Sequence, residues 1–151
     1  MTTRSYQRLD CPIAHALSIV GDQWTILLIR DVLSGFRRFD ELQNKLGMSR
    51  NLLARRLKQL VADGLLMKRQ VPGSRRHAYW PTPKCLELRP AILALAEWGQ
   101  KWQDDPGGTR VEVSEKATGK PVGVRFCRLE DGREVSAADI SVDRVRGGMV
   151  V

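Results

Sequence analysis

Between Gly47 and Gly64 lies the segment that most narrows what this chain can become. Ser49 is a good helix N-cap, and Met48 before it and Leu53 after it are placed to form a hydrophobic staple. On the helix so started, running to about Asp63, Leu53, Leu57, Leu60 and Val61 share one side. Asn51, Arg55 and Lys58 occupy a narrow arc on the opposite side, bordered by Arg50 and Ala54. Such a helix needs a core behind it and offers a polar, cationic surface in front.

The flanking segments supply the core and a second basic surface. Phe39, Leu42 and Leu46 fall on one helical face, and Gly47 suits the left-handed conformation that closes a helix. Upstream, Pro12 to Val20 reads as a short helix interrupted at Gly21. Asp22 caps a second helix, Gln23 to Ser34, which is apolar on most sides and ends at Gly35. Downstream, residues 65–70 and 75–80 read as strands around the turn Val71-Pro72-Gly73-Ser74, with basic residues on both arms.

Thr82 and Pro83 then open a long helix, expected to reach about Gln103, with a kink or break near Glu87 to Arg89 because of Pro90. Its apolar residues, Leu86 to Trp102, cover more than one face, so it calls for two partners: its own core and a second subunit. Asp104 to Gly108 reads as a linker. Residues 110–113 and 122–126 alternate like strands, Asp131-Gly132 marks a turn before Arg133-Glu134-Val135, and the last residues are expected to fray. The fold class is therefore α+β and mostly helical: a winged helix-turn-helix with a long C-terminal dimerisation helix and a small C-terminal β extension. Residues 1–103 are expected to form the helix-turn-helix and dimerisation domain, and 104–151 the β-rich extension.

Charge is focused on the same region. Residues 37–76 hold eleven Lys/Arg and three Asp/Glu, a local excess of +8, whereas residues 104–151 hold eight against nine. Two readings stand for such focusing: a polyanion partner, or a solvated basic face. The winged helix-turn-helix plan gives the first a mechanism, because its second helix lies in the major groove. Asn51 suits adenine and Arg55 suits guanine, each by paired hydrogen bonds. Lys58 and Arg56 are phosphate contacts, as are Ser49 and the amides at the helix start, and Arg50 borders the reading arc. Ser74, Arg75 and Arg76 at the hairpin tip can reach a minor groove or the backbone. Arg37 and Arg38 stabilise the fold or touch the backbone. For each of these the plain alternative is a solvated side chain.

Other functions find less support. Cys11, Cys85 and Cys127 are far apart, no CxxC pair exists, and His15 and His77 add no ligand spacing, so neither a disulfide scaffold nor a metal site is expected, and no cofactor. No apolar run is long enough to span a membrane, and the first eight residues lack a signal-peptide core, so a cytoplasmic protein without membrane association is expected. Paired catalytic carboxylates, a nucleophile triad and a phosphate loop are all missing, so no enzyme is expected. A winged helix that binds RNA or protein without operator specificity is the alternative. The outward charge of Arg55, Lys58 and the hairpin argues against it.

In order along the chain, Cys11-Pro12-Ile13, Leu17, Gly21-Asp22-Gln23-Trp24, Ile26-Leu27 and Gly35-Phe36-Arg37-Arg38-Phe39-Asp40-Glu41-Leu42 resemble the HxlR-type winged helix regulators, a branch near the MarR group. The series continues through Ser49, Leu53, Arg56-Leu57-Lys58-Gln59-Leu60, Gly64-Leu65-Leu66, Tyr79, Thr82, Lys84, Glu87-Leu88, Pro90 and Trp98. The resemblance implies a transcription factor that binds double-stranded DNA, more often as a repressor, and a homodimer built from the first and last helices. It also implies a small-molecule or redox effector such as an electrophile, quinone, aldehyde or oxidant. Two positions depart from the family pattern: Pro81-Thr82 stands where Leu-Thr is usual, and Cys85 where glycine is usual. Pro81 should end the second strand of the hairpin.

The resemblance places a sensing thiol at Cys11. Local chemistry is divided, since the helix start lowers a thiol pKa and Asp10 opposes it. A packing cysteine is the other reading. Trp24, Trp98 and Trp102 likewise admit a ligand pocket or ordinary packing.

Overall fold

The computed structural model describes residues 10–103, 108, 110–142, 145–146 and 149–150. They divide within the last helix into two compact units, Met1–Leu95 and Ala96–Val151. The N-terminal segment 1–8 and residues 104–107 of the expected linker lie outside the described residues.

Local signals set the elements of the first unit. Helix α1, Pro12–Val20, starts with proline at its first position. Helix α2, Gln23–Leu33, is capped by the Asp22 carboxylate, which accepts from the amides of Trp24 (3.0 Å) and Thr25 (3.1 Å). Helix α3, Phe39–Leu46, ends at Gly47 with φ of +64°, and α4, Arg50–Ala62, is followed by Gly64 with φ of +71°. Neither left-handed position suits a residue with a Cβ.

Strands β1, Leu66–Gln70, and β2, His77–Pro81, pair antiparallel from Leu66↔Pro81 to Gln70↔His77. Arg75 and Arg76 belong to the turn instead of the returning strand. The turn is closed by hydrogen bonds from Val71 N to Arg76 O (2.9 Å) and Ser74 N to Val71 O (3.0 Å). The wing also gains a neighbour that periodicity does not reveal. Arg38 bridges to Ala78, and Tyr79 N donates to Arg37 O at 2.9 Å, so the segment entering α3 lies along β2.

The expected break in the last helix is present: α5 is Pro83–Leu86 and α6 is Arg89–Lys101. The Thr82 hydroxyl accepts from Cys85 N (3.3 Å) and donates to Gly64 O (2.7 Å), tying the start of α5 to the end of α4.

Leu28, Ile29 and Val32 of α2, Leu42 of α3, Leu53, Leu57 and Leu60 of α4, then Met48, Leu65, Leu66 and Cys85, form one buried cluster. Each buried leucine contributes roughly 2 kcal/mol of transfer free energy, so α4 is held firmly by its inner face. Asp31 is buried among them and takes two hydrogen bonds from the Arg30 guanidinium, at 2.9 and 3.1 Å. Among the described residues no single helix is long and apolar enough to cross a membrane.

In the second unit the expected strand at 110–113 does not form, and of the one expected at 122–126 only Phe126 enters a strand. The two arms meet at the single bridge Ser114↔Pro121, with Val122 N to Val113 O at 2.9 Å. Pro121 has no N–H to extend a ladder, and Val124 N donates to the Glu97 carboxylate (3.1 Å) rather than to a strand. The ladder starts later, between β3, Phe126–Cys127, and β4, Glu134–Val135, across the turn at Gly132. A short pair, β5 Val145–Arg146 with β6 Met149–Val150, occupies the end where fraying is expected.

Candidate nucleic-acid interface

Helices α3 and α4 with the turn Gly47-Met48-Ser49 make the helix-turn-helix. Met48 is buried and pins the turn, while Ser49 Oγ accepts from Leu52 N at 3.4 Å. With Leu53, Leu57 and Leu60 buried, the opposite side of α4 presents Asn51, Arg55 and Lys58 to solvent. Among the described residues these three side chains make no ion pair or hydrogen bond, so they are available to a ligand. Arg50, also exposed, rests over the Phe39 ring (5.0 Å) and reaches Asp40 (3.4 Å) and Gln43 (3.2 Å).

Two arginines turn toward the fold, and only Arg56 departs by this from its expected role. Arg56 is half-buried and turned back, 3.3 Å from the Asp22 carboxylate, instead of joining the outward phosphate contacts. Arg37 is also half-buried: it donates to Val32 O and stacks 5.1 Å from the centre of the Trp80 ring. Burial lowers its pKa, with Arg89 acting in the same direction and Cys85 against it. Arg37 therefore braces the wing, which agrees with the stabilising half of its expected role. Arg38 is exposed beside the wing, and Arg75 and Arg76 are exposed at its tip, with Ser74 half-buried between strands and solvent. Glu41 was not singled out by sequence, although its spacing from Arg38 is that of a capping box. Its carboxylate accepts from Arg38 N (2.9 Å) and Arg37 N (3.1 Å).

The three thiols differ in access. Cys11 is half-buried at the N-cap of α1. Cys85 is fully buried, and burial pushes its thiol pKa up, against the opposing pull of Arg37 and Arg89. Cys127 is exposed. Among the described residues no group of His, Cys, Asp and Glu is arranged to hold a metal ion. Trp24 packs partly against the core, whereas Trp98 and Trp102 are each 65% exposed.

The family model for HxlR-like helix-turn-helix proteins matches residues 19–106. An uncharacterised HTH-type transcriptional regulator of Mycobacterium tuberculosis, Rv3095, is 33% identical over 132 residues, covering 85% of this chain and 82% of the relative. Among solved structures, PA1607, a candidate transcription factor, matches with a TM-score of 0.81 and 33% identity over 93% of this chain and 99% of its own. The redox regulator HypR in its oxidised form matches with a TM-score of 0.58 and 26% identity over 63% of this chain and all (100%) of its own. The match to PA1607 thus takes in nearly the whole chain, whereas the match to HypR covers a smaller part of it.

Proposed function

The chain belongs to the HxlR-like helix-turn-helix family of DNA-binding transcriptional regulators, and on that premise we propose that it acts as a homodimeric repressor. Each subunit lays α4 in the major groove of one half of an inverted repeat, the two copies about one helical turn apart. The observation that carries this reading is the division of α4: a buried leucine face, and opposite it Asn51, Arg55 and Lys58, exposed and unengaged among the described residues. Asn51 and Arg55 read base edges. Lys58, Arg38, Arg50, Ser49 and the wing tip at Ser74, Arg75 and Arg76 hold phosphates. Arg56 and Arg37 support the site from behind.

The dimer forms through α1 and α6. Supporting this, α6 has no buried residue in the single chain although it carries Leu95 and Trp98, Trp102 just after it is exposed as well, and Ile13 of α1 is 70% exposed. Apolar area of this kind is what a second subunit covers. The DNA-binding and dimerisation domain is 1–103, extended by 104–151, and the compartment is the cytoplasm.

Regulation by an oxidant or electrophile at Cys11 belongs to the same proposal, supported by its place at a helix start and by the likeness to a redox regulator. Selection of genomic duplex fragments by the purified protein, with and without a thiol oxidant, tests the whole reading. The expected result is an inverted repeat whose enrichment falls on oxidation. Enrichment of RNA over duplex would replace the operator reading with the module alternative. Unchanged binding after oxidation would remove the thiol switch alone.

A further inference from the structure

A cleft of about 340 Å³ opens between the helix-turn-helix and the wing. Its walls come from segments distant in sequence: Arg38 and Asp40 at the start of α3, Arg50 at the start of α4, and Lys68, Arg76 and Tyr79 on the wing. The strand register explains the wing side, because Lys68 and Tyr79 are directly paired across β1 and β2. Lysine and tyrosine are therefore presented together.

The lining holds four formal cations, Arg38, Arg50, Lys68 and Arg76, against one carboxylate, Asp40. Asp40 is already engaged with Arg50 at 3.4 Å. Arg38, Lys68 and Arg76 have no ion pair among the described residues. Folding gains nothing from unpaired like charges gathered in one concavity, whereas an anion seated there relieves their repulsion. The donors match a phosphate: two or more guanidinium forks, an ammonium, and the Tyr79 hydroxyl, a donor whose pKa burial raises further above its ordinary value.

We propose that this cleft seats a backbone phosphodiester of the bound duplex, with Lys68 and Tyr79 as contacts beside Arg38, Arg50 and Arg76. The proposal rests on the DNA-binding reading above. A free anion is the weaker candidate, because the cations are exposed and each such pair contributes at most ~1 kcal/mol. A phosphate attached to a duplex that α4 already holds arrives at a high effective concentration. The seat also joins the wing to the helix-turn-helix through the ligand, so it sets the angle at which α4 meets the bases.

The test pairs a protein change with a phosphate change. The Lys68→Gln/Arg76→Gln variant and the unmodified protein are titrated with the selected duplex, its phosphates replaced one at a time by neutral methylphosphonate. For the unmodified protein, one or two positions per half-site should weaken binding by about three- to tenfold. The variant should bind the native duplex more weakly, with a salt slope shallower by about one to two, and should not respond at those positions. Its thermal midpoint should be unchanged, since Lys68 and Arg76 are exposed. Equal responses of both proteins at every position, or an unchanged salt slope, would overturn the seat while leaving DNA binding intact. Inorganic phosphate should displace the duplex no better than chloride at matched ionic strength. Selective displacement of the unmodified protein by phosphate would reassign the cleft to a free anion. If the unmodified protein selects no duplex, the DNA reading itself fails and the seat with it.

Discussion

Arg56 leaves the outward face of α4 and sets its guanidinium 3.3 Å from the Asp22 carboxylate, the same group that caps α2. One aspartate therefore starts one helix and anchors another. Arg56 Nε has no hydrogen-bond partner among the described residues, so the ion pair carries most of the compensation for burying this side chain.

Replacing Arg56 by Ala should lower stability by about 1–2 kcal/mol, from the lost pair and the packing of its stem. Asp22→Ala should cost a similar amount, since it also removes the cap. A double-mutant cycle by urea denaturation should give a favourable coupling. DNA affinity should fall with no change in salt slope. A slope lower by about one would instead make Arg56 a phosphate contact.

Arg55 and Lys58 share an exposed arc but differ in assigned role. Arg55→Ala should cost about 1–3 kcal/mol on the preferred operator and relax preference at one base pair. Lys58→Ala should weaken all duplexes nearly uniformly and reduce the salt slope by about one. Binding arrays read at two salt concentrations separate these outcomes. Identical effects of the two substitutions would contradict the division of labour.

The capping carboxylate of Glu41 should leave a pH signature. Its pKa lies below the ordinary carboxylate value, chiefly through the hydrogen bond from Arg38 N and also through that from Arg37 N and the Arg38 charge, with slight burial opposing. A folded-state pKa lower than the unfolded one means stability that is present above the unfolded value of about 4.3 and lost as pH falls through the folded value. Glu41→Ala should thus cost about 0.5–1 kcal/mol at neutral pH, limited by solvent screening, and less near pH ~3. A cost that is the same at both pH values would show that the charge is irrelevant.

The burial of Cys85 predicts slow chemistry. With its pKa raised by burial and its side chain enclosed in the core, it should react with iodoacetamide only through unfolding at neutral pH. Exposed Cys127 should react orders of magnitude faster, and Cys11 between them. Mass spectrometry of timed reactions orders the three. Rapid labelling of Cys85 in folded protein would mean that the core opens readily at α5.

Trp98 and Trp102 provide a direct handle on assembly. If the proposed dimer forms through α6, Trp98→Glu should give a monomer in sedimentation velocity and weaken operator binding by at least about a hundredfold, because the second half-site is lost. Helical content should be retained, since Trp98 is exposed in the single chain. An unchanged dimer would move the interface elsewhere.

The helices of the first unit were legible because their signals are local. Asp22, Ser49 and Thr82 cap within three residues of themselves, Gly47 and Gly64 stop helices by backbone conformation, and Pro90 breaks one. The division of α4 into a leucine face and a cationic face is likewise a matter of spacing, and it carried most of the functional reading. The fate of individual cations was not local. Arg56 turns inward because Asp22 of another helix waits there, and Arg37 is braced by the Val32 carbonyl and Trp80. The pairing of Arg38 with Ala78, the cleft it helps to form, and the capture of Val124 N by Glu97 in place of a strand also depend on which segments meet. Sequence alone determined where helices begin and end and which side of α4 faces out, since those follow from neighbours a turn away. Only the tertiary structure decided which charges are spent on the fold and which remain for a ligand, since a long side chain's partner is whatever the packed chain brings within its reach.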